Sequence, residues 1–231
     1  MVITTNIYKP IEGTRQMVSS FERQGFEVAI LNTPTGNGAI LRSLHECYKR
    51  AVTGHELFTY SDAADTYCQR PFSPPTDHLL WSTEKACYPY PDRATLYKFG
   101  GRLKSPWRYL NNGVYGGPLA LAIEFFERYG LNKLHDAANG QAEVMDAYLQ
   151  AVKDGFPIKL DFNGELFQSI AFDHDPKRGG HPIHLEGYEG TDFEIVDGLV
   201  MNKVTGRTPA ILHGNGQTPM GWVYELGNGI R

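Results

Sequence analysis

Cysteine is scarce in this 231-residue chain, with only Cys47, Cys68 and Cys87. An odd, sparse set argues against a disulfide framework and fits a reducing compartment. Long apolar runs are missing too. No stretch approaches the ~18 residues that a membrane-spanning helix requires. The opening Val2-Ile3-Thr4-Thr5 carries no basic segment, apolar segment or cleavage site of a secretory leader. The expectation is a soluble, cytoplasmic protein with no membrane partner. Basic runs longer than two residues are also absent, and 22 Lys and Arg stand against 26 Asp and Glu, a formal charge of −4. That balance gives no global attraction to nucleic acid, while a local basic groove stays open.

What is present is ordinary globular material, 41% hydrophobic and 21% charged. The length makes one domain with a sizeable core the default, with two very small domains as the other option. The 25 Gly and 14 Pro predict a loop-rich molecule of the kind that builds sites on loops. Short apolar or β-branched runs alternate with helical patterns. Strands are expected at 1–5, 26–32, 57–60 and 78–82, with helices over 14–24 and 39–51. This βαβαβ opening predicts a parallel sheet that gathers ligands at the carboxyl ends of its strands. Further on, Tyr109 to Gly117 reads as a Gly-rich strand where the backbone approaches something closely. Helices follow over 118–129 and 143–153, then short strands at 158–161, 166–172 and 193–200. The segment 173–182 reads as a flexible loop.

Asp62 and Asp65 come straight after the third strand. Two carboxylates there can share one hard divalent cation suited to a nucleotide diphosphate, or they can close a polar turn. His213, in His213-Gly214-Asn215-Gly216, offers either a metal-binding nitrogen or an exposed turn histidine. Asp146, amid apolar residues of a helix, either turns toward a site or faces solvent. Asp173-His174-Asp175, with His181 and His184, is the rival constellation for zinc or non-haem iron. Adjacent side chains of a strand point to opposite faces, which disfavours joint ligation, and a solvated loop is the plainer reading.

Six segments in order resemble the glycosyltransferase domain of the procollagen lysyl hydroxylase family and related stand-alone transferases. They are LFTYSDAAD at 57–65, HLLWSTEKACYP at 78–89, YLNNGVYGG at 109–117, VMDAYL at 144–149, KLDFNGELFQSI at 159–170 and AILHGNG at 210–216. The resemblance implies a GT-A fold, a Rossmann-like mixed sheet flanked by helices in one unit over 1–231. Its nucleotide-binding half would end near residue 105 and its sugar and acceptor half would begin near 106. It also implies that Asp62, Asp65 and His213 ligate Mn²⁺ (or Mg²⁺) and that the donor is a UDP-sugar. Thr4 and Thr5 would line the uridine pocket, and Asn111, Asn112 and Gly113 the donor sugar. Asp146 would be an acidic residue of the catalytic pocket. Asp161 and Gln168 would shape the sugar or acceptor side, and Asn215 and Gly216 would lie near the phosphates. The family often carries an aromatic inside its acidic motif, where this chain has Ala63-Ala64; Tyr67 is the candidate replacement for stacking on the base.

These readings predict a metal-dependent hexosyl transfer to a hydroxyl on a protein side chain, a hydroxymethylated DNA base or a small glycan. Asp146 would act as general base or sugar-orienting group, with Asn111 beside it. A DNA acceptor, as for a compact viral transferase, calls for a basic groove, with Arg102, Lys104, Arg108, Lys177 and Arg178 as contributors. The alternatives are a non-catalytic sugar-nucleotide-binding module and an iron-dependent oxygenase built on the His174 region.

Overall fold

A computed structural model describes residues 1–6, 12–33, 36–97, 105–170, 192–215, 218 and 220–227, with backbone alone at 5, 6, 222 and 227. Strand β1 (Val2–Asn6) has no polar-apolar alternation because it is covered on both faces. Val2 and Ile3, pointing opposite ways as neighbours on a strand must, enter two different apolar clusters. Helix α1 (Glu12–Arg23) presents Met17 and Phe21, four residues apart on one stripe, to the first of these. Gly25, with φ of 82°, turns the chain into β2 (Val28–Asn32). Helix α2 (Asn37–Ala51) then leads to β3 (Leu57–Asp62), and β2 and β3 pair parallel to β1 on its two sides. The predicted βαβαβ opening is present.

The parallel run stops there. Strand β6 (Tyr109–Pro118) inserts antiparallel between β3 and β5 (Leu79–Glu84), and β7 (Ile158–Leu160) runs parallel to β5 at the edge. The order is β2-β1-β3-β6-β5-β7. Helices α2, α3 (Leu119–Arg128) and α4 (Gly140–Lys153) cover one face over the larger cluster, which holds Tyr48, Phe58, Trp81, Tyr115, Phe125 and Phe126. This mixed α/β architecture, a central mixed sheet flanked by helices, is compatible with a Rossmann-like GT-A fold.

A smaller sheet is joined to the first through a tight turn. It consists of β4 (Thr66–Cys68), β11 (Ile211–His213) and β8 (Phe167–Ser169), with β11 in the middle, antiparallel to β4 and parallel to β8. A hairpin of β9 (Phe193–Val196) and β10 (Leu199–Asn202), and helix α5 (Gly221–Gly227), complete the described elements. Among the described residues no helix is long and apolar enough to cross a membrane.

Two expected elements differ. The single strand predicted over 193–200 is a hairpin, because Asp197 and Gly198 both take positive φ, 52° and 80°. Asp-Gly is the pair that a two-residue turn of this kind requires. The last helix predicted from 143 starts at Gly140, because the Asn139 side chain accepts the Ala142 N–H at 3.1 Å and caps it.

Candidate metal and active site

The turn between β3 and β4 is locked by side chains. The Thr66 hydroxyl donates to the Asp62 carbonyl at 2.7 Å and accepts from the Ser61 hydroxyl at 2.6 Å. Strand β11 brings His213 alongside by pairing it with Thr66 and Ser169, and the Gly214 N–H closes on the Asp65 carbonyl at 2.7 Å. The seam between the two sheets therefore carries Asp62 at the end of one, and Asp65 and His213 at the margin of the other. His213 Nε2 lies 3.6 Å from Asp62 Oδ2 and 3.7 Å from Asp65 Oδ1.

This donor set fits a divalent cation. One ligand atom from each residue can be chosen so that all three lie within 4.8 Å of one another. An octahedral ion with bonds of about 2.1 Å needs neighbouring ligands about 3 Å apart and opposite ones about 4.2 Å apart, so the separations require only a small contraction. Asp65 Oδ1 is buried and has no hydrogen-bond partner among the described residues, as is His213 Nδ1. A buried carboxylate oxygen without a donor is costly unless something cationic satisfies it. Burial pushes the Asp65 carboxyl up to about 6, the Asp62 charge adds to this, and His213 opposes it. Burial pulls His213 down, but Asp65, Asp62 and Glu84 outweigh it and hold the imidazole above its ordinary range. Two carboxylates and one imidazole form a mainly oxygen donor set that suits Mg²⁺ or Mn²⁺.

A bulge builds the adjoining pocket. Across β5 and β6, Trp81 pairs with Tyr115 but Ser82 pairs with Asn111, so residues 112–114 are extra and arch out of the ladder. Gly113 rests against the His213 ring, and a Cβ there would overlap the imidazole. The predicted close approach of this Gly-rich strand is an approach to the histidine. Glu84, at the end of β5, is buried beside it. Its carboxylate accepts from Asn111 Nδ2 at 3.4 Å, Gln141 Nε2 at 3.2 Å and Asn215 Nδ2 at 3.0 Å. Burial pushes this carboxyl up to about 7, against the pull of Asn111, His213 and Asn215. Glu84 sits inside the WSTEKACYP segment, yet spacing alone does not separate it from a surface acid. The amides that single it out come from three distant points of the chain.

The other expected site residues fall into three groups. Asn111, Asn112, Gly113 and Asn215 gather around Glu84 and His213: Asn111 Oδ1 accepts the Gly113 N–H, Asn112 Oδ1 accepts the Trp81 indole N–H, and Asn215 Oδ1 is buried without a partner among the described residues. Thr4 is wholly buried in β1 opposite Ser61, its hydroxyl also without a partner among the described residues. Thr5 is in register with Asp62, and its side chain lies outside the described residues. Gly216 lies outside them too, as do Arg102, Lys104, residues 173–182 and His184.

The second group is turned inward. Both Asp161 oxygens accept backbone N–H groups of Glu165, Leu166 and Phe167 at 2.8–2.9 Å, so the carboxylate shapes its own turn. Gln168 is bound to Asn202 and to the Ser169 carbonyl. Tyr67 is buried with Trp107, Leu212 and Val223 in a third apolar cluster. The last is Asp146, exposed on α4 and paired with the Arg93 guanidinium. The α4 residue that reaches Glu84 is Gln141, about 140° around the helix from Asp146.

No sequence-family model matches the chain. Against curated proteins it is 29% identical over 142 residues to a procollagen-lysine,2-oxoglutarate 5-dioxygenase of Drosophila melanogaster. The similarity is distant and partial. It takes in 60% of this chain and 17% of the length of that protein.

Proposed function

We propose that the protein is a metal-dependent glycosyltransferase that moves a hexose from a UDP-sugar to a hydroxyl acceptor. The observation that carries this reading is the seam: Asp62, Asp65 and His213 converge there with buried atoms left unsatisfied, beside a buried carboxylate held by three amides. Asp62, Asp65 and His213 would hold Mn²⁺ or Mg²⁺, which as a Lewis acid offsets negative charge on a departing diphosphate. Thr5, in register with Asp62, would meet the uridine, and the wholly buried Thr4 would shape the floor of that pocket. The bulge of Asn111, Asn112 and Gly113 would line the sugar, with Asn215 and Gly216 toward the phosphates.

Glu84 takes the acidic role in the pocket that the family resemblance implies for Asp146. With its carboxyl raised to about 7, Glu84 is poised to exchange a proton with an acceptor hydroxyl near neutrality, and when ionised it offsets positive charge developing on the sugar. Asn111, Gln141 and Asn215 keep it in one orientation in either state.

The curated relative is named for acting on procollagen lysine, which favours a hydroxylated protein side chain as acceptor over a hydroxymethylated DNA base or a small glycan. That name equally describes a 2-oxoglutarate dioxygenase, the second reading. Iron oxygenases of that type use two histidines and one carboxylate, and the only metal-competent group among the described residues has the opposite proportion.

The test is release of UDP from a panel of UDP-sugars, with Mn²⁺ and with a chelator, using water as default acceptor. One donor hydrolysed only with Mn²⁺ supports the reading and names the sugar. No release from any donor, together with no UDP binding by calorimetry, rejects it; turnover of 2-oxoglutarate with iron would put the second reading in its place.

A further inference from the structure

The three metal-ligand candidates differ in how they are held. His213 is fixed by strand pairing on both sides and Asp65 by its turn, whereas the Asp62 side chain is 41% exposed at the end of a strand. An exposed carboxylate explores several rotamers and offers both oxygens to an ion. Here that freedom is removed from below. Tyr60, two residues earlier and so on the same face of β3, donates its hydroxyl to Asp62 Oδ1 at 2.7 Å. The other oxygen, Oδ2, is the one that faces His213 Nε2.

Tyr60 itself cannot swing away. It is 4% exposed, and its ring lies on Tyr115 with centroids 4.9 Å apart. Tyr115 lies flat on Trp81 at 4.3 Å and 6°, and its hydroxyl pairs with that of Tyr48 at 2.6 Å. The far end of the stack carries a second polar handle, because Trp81 donates its indole N–H to Asn112 Oδ1 at 3.3 Å. One buried aromatic stack thus reaches the metal strand with a hydroxyl and the sugar-lining bulge with an indole N–H. A phenylalanine in place of Tyr60 would fill the same core volume and lose the bond to Asp62.

We infer that Tyr60 is a positioning residue for the cation: its hydroxyl occupies Asp62 Oδ1, holds the carboxylate in one rotamer and makes Asp62 a one-oxygen ligand through Oδ2. This rests on the metal site proposed above. Partners that orient a metal ligand in this way typically contribute about 10- to 100-fold to metal affinity.

The test is Mn²⁺ titration of the whole protein, read by the loss of the free-ion electron paramagnetic resonance signal, without donor or turnover. Tyr60→Phe should bind Mn²⁺ about tenfold or more weakly than the parent. Tyr48→Phe removes a buried hydroxyl that bonds Tyr115 of the stack without touching Asp62, and should stay within about twofold of the parent. Equal weakening in both variants would mean that loosening the stack, and not the bond to Asp62, matters, and would overturn the assignment. Parent-like affinity in Tyr60→Phe would overturn it while leaving the metal site standing. A parent protein that binds no Mn²⁺ would remove both.

Discussion

Two regions of the molecule bury carboxylates, and they resolve the problem differently. At Asp161 the chain turns back on itself, and the Glu165, Leu166 and Phe167 N–H groups satisfy both oxygens within six residues. Burial still raises that carboxyl, but the turn meets each of its oxygens with a donor. At the seam, Asp65 Oδ1, His213 Nδ1 and Asn215 Oδ1 remain without partners among the described residues, although donors and acceptors lie close by. Burial and a shifted carboxyl are common to both regions, so neither identifies a site. Lone hydroxyls without a partner among the described residues also occur elsewhere, at Thr14 and Thr33 for example. The distinguishing feature of the seam is that the unpartnered Asp65 oxygen converges with Asp62 and His213 in a group able to hold an ion.

The sharpest way to break this comparison is to remove a ligand from the seam. His213→Ala takes away the only nitrogen donor of the triad and should lower metal-dependent UDP release about a thousandfold, the several kcal/mol that a Lewis-acid cation supplies. The folded state should persist, read by a cooperative thermal transition, since the strand pairing of β11 is made by backbone. Activity near that of the parent would remove the metal site.

Next comes Glu84. Glu84→Gln should reduce transfer about a hundredfold while leaving Mn²⁺ and UDP binding near the parent values. The new amide fits, because Asn215 can turn over and present its unpaired Oδ1 to the nitrogen that the substitution introduces. Stability provides an independent check. The Glu84 carboxyl lies near 4.5 in an unfolded chain and near 7 in the fold. An acid raised on folding supports the native state at low pH, and that support is lost as pH rises from about 4.5 through about 7. The metal-free parent should therefore weaken over that window, and Glu84→Gln should weaken less. At pH 8 the variant should melt roughly 3–6 °C higher than the parent. A lower melting temperature would show that the charged form of Glu84 is the one the fold prefers.

What the sequence made legible follows from the physics of each feature. The first half was readable because its signals are local: β1, β2 and β3 are short apolar runs, α1 and α2 carry a helical period, and all five stand where the pattern put them. Asp62, Asp65 and His213 were readable through ordered motifs, and the fold brings them together. Strand β11 was not, because three residues carry no period, and its identity depends on β4 and β8 on either side. Glu84 was missed for a similar reason. Its burial depends on amides from Asn111, Gln141 and Asn215, which no local window contains. Asp161 shows the converse: a motif acid whose two oxygens the fold meets with its own backbone N–H groups.

That reading of Asp161 predicts a mutant with the opposite signature to His213→Ala. Asp161→Asn leaves the side-chain oxygen to accept from one side of the turn and sets an amide donor against an N–H on the other. The loss should be about 1–3 kcal/mol of stability by chemical denaturation, the cost of a buried donor left unpaired. Mn²⁺ affinity should stay that of the parent. A variant of normal stability with impaired metal or donor binding would move Asp161 back into the site.

Asp146 sets the lower end of the scale. Its side chain is 50% exposed and faces the Arg93 guanidinium, whose own contact with the Tyr90 ring holds it on the surface of the segment after β5. A pair so open to water contributes about 0–1 kcal/mol. Asp146→Asn should therefore leave stability within that range and change UDP release less than about threefold, where Glu84→Gln changes it about a hundredfold. The ratio of the two effects is the informative quantity. Both residues are acids on regular elements, β5 and α4, and only Glu84 is gripped by amides inside the fold. If Asp146→Asn proved the more damaging in steady-state transfer, the catalytic acid would lie on helix α4 and Glu84 would be reduced to a buried brace for Asn111 and Asn215.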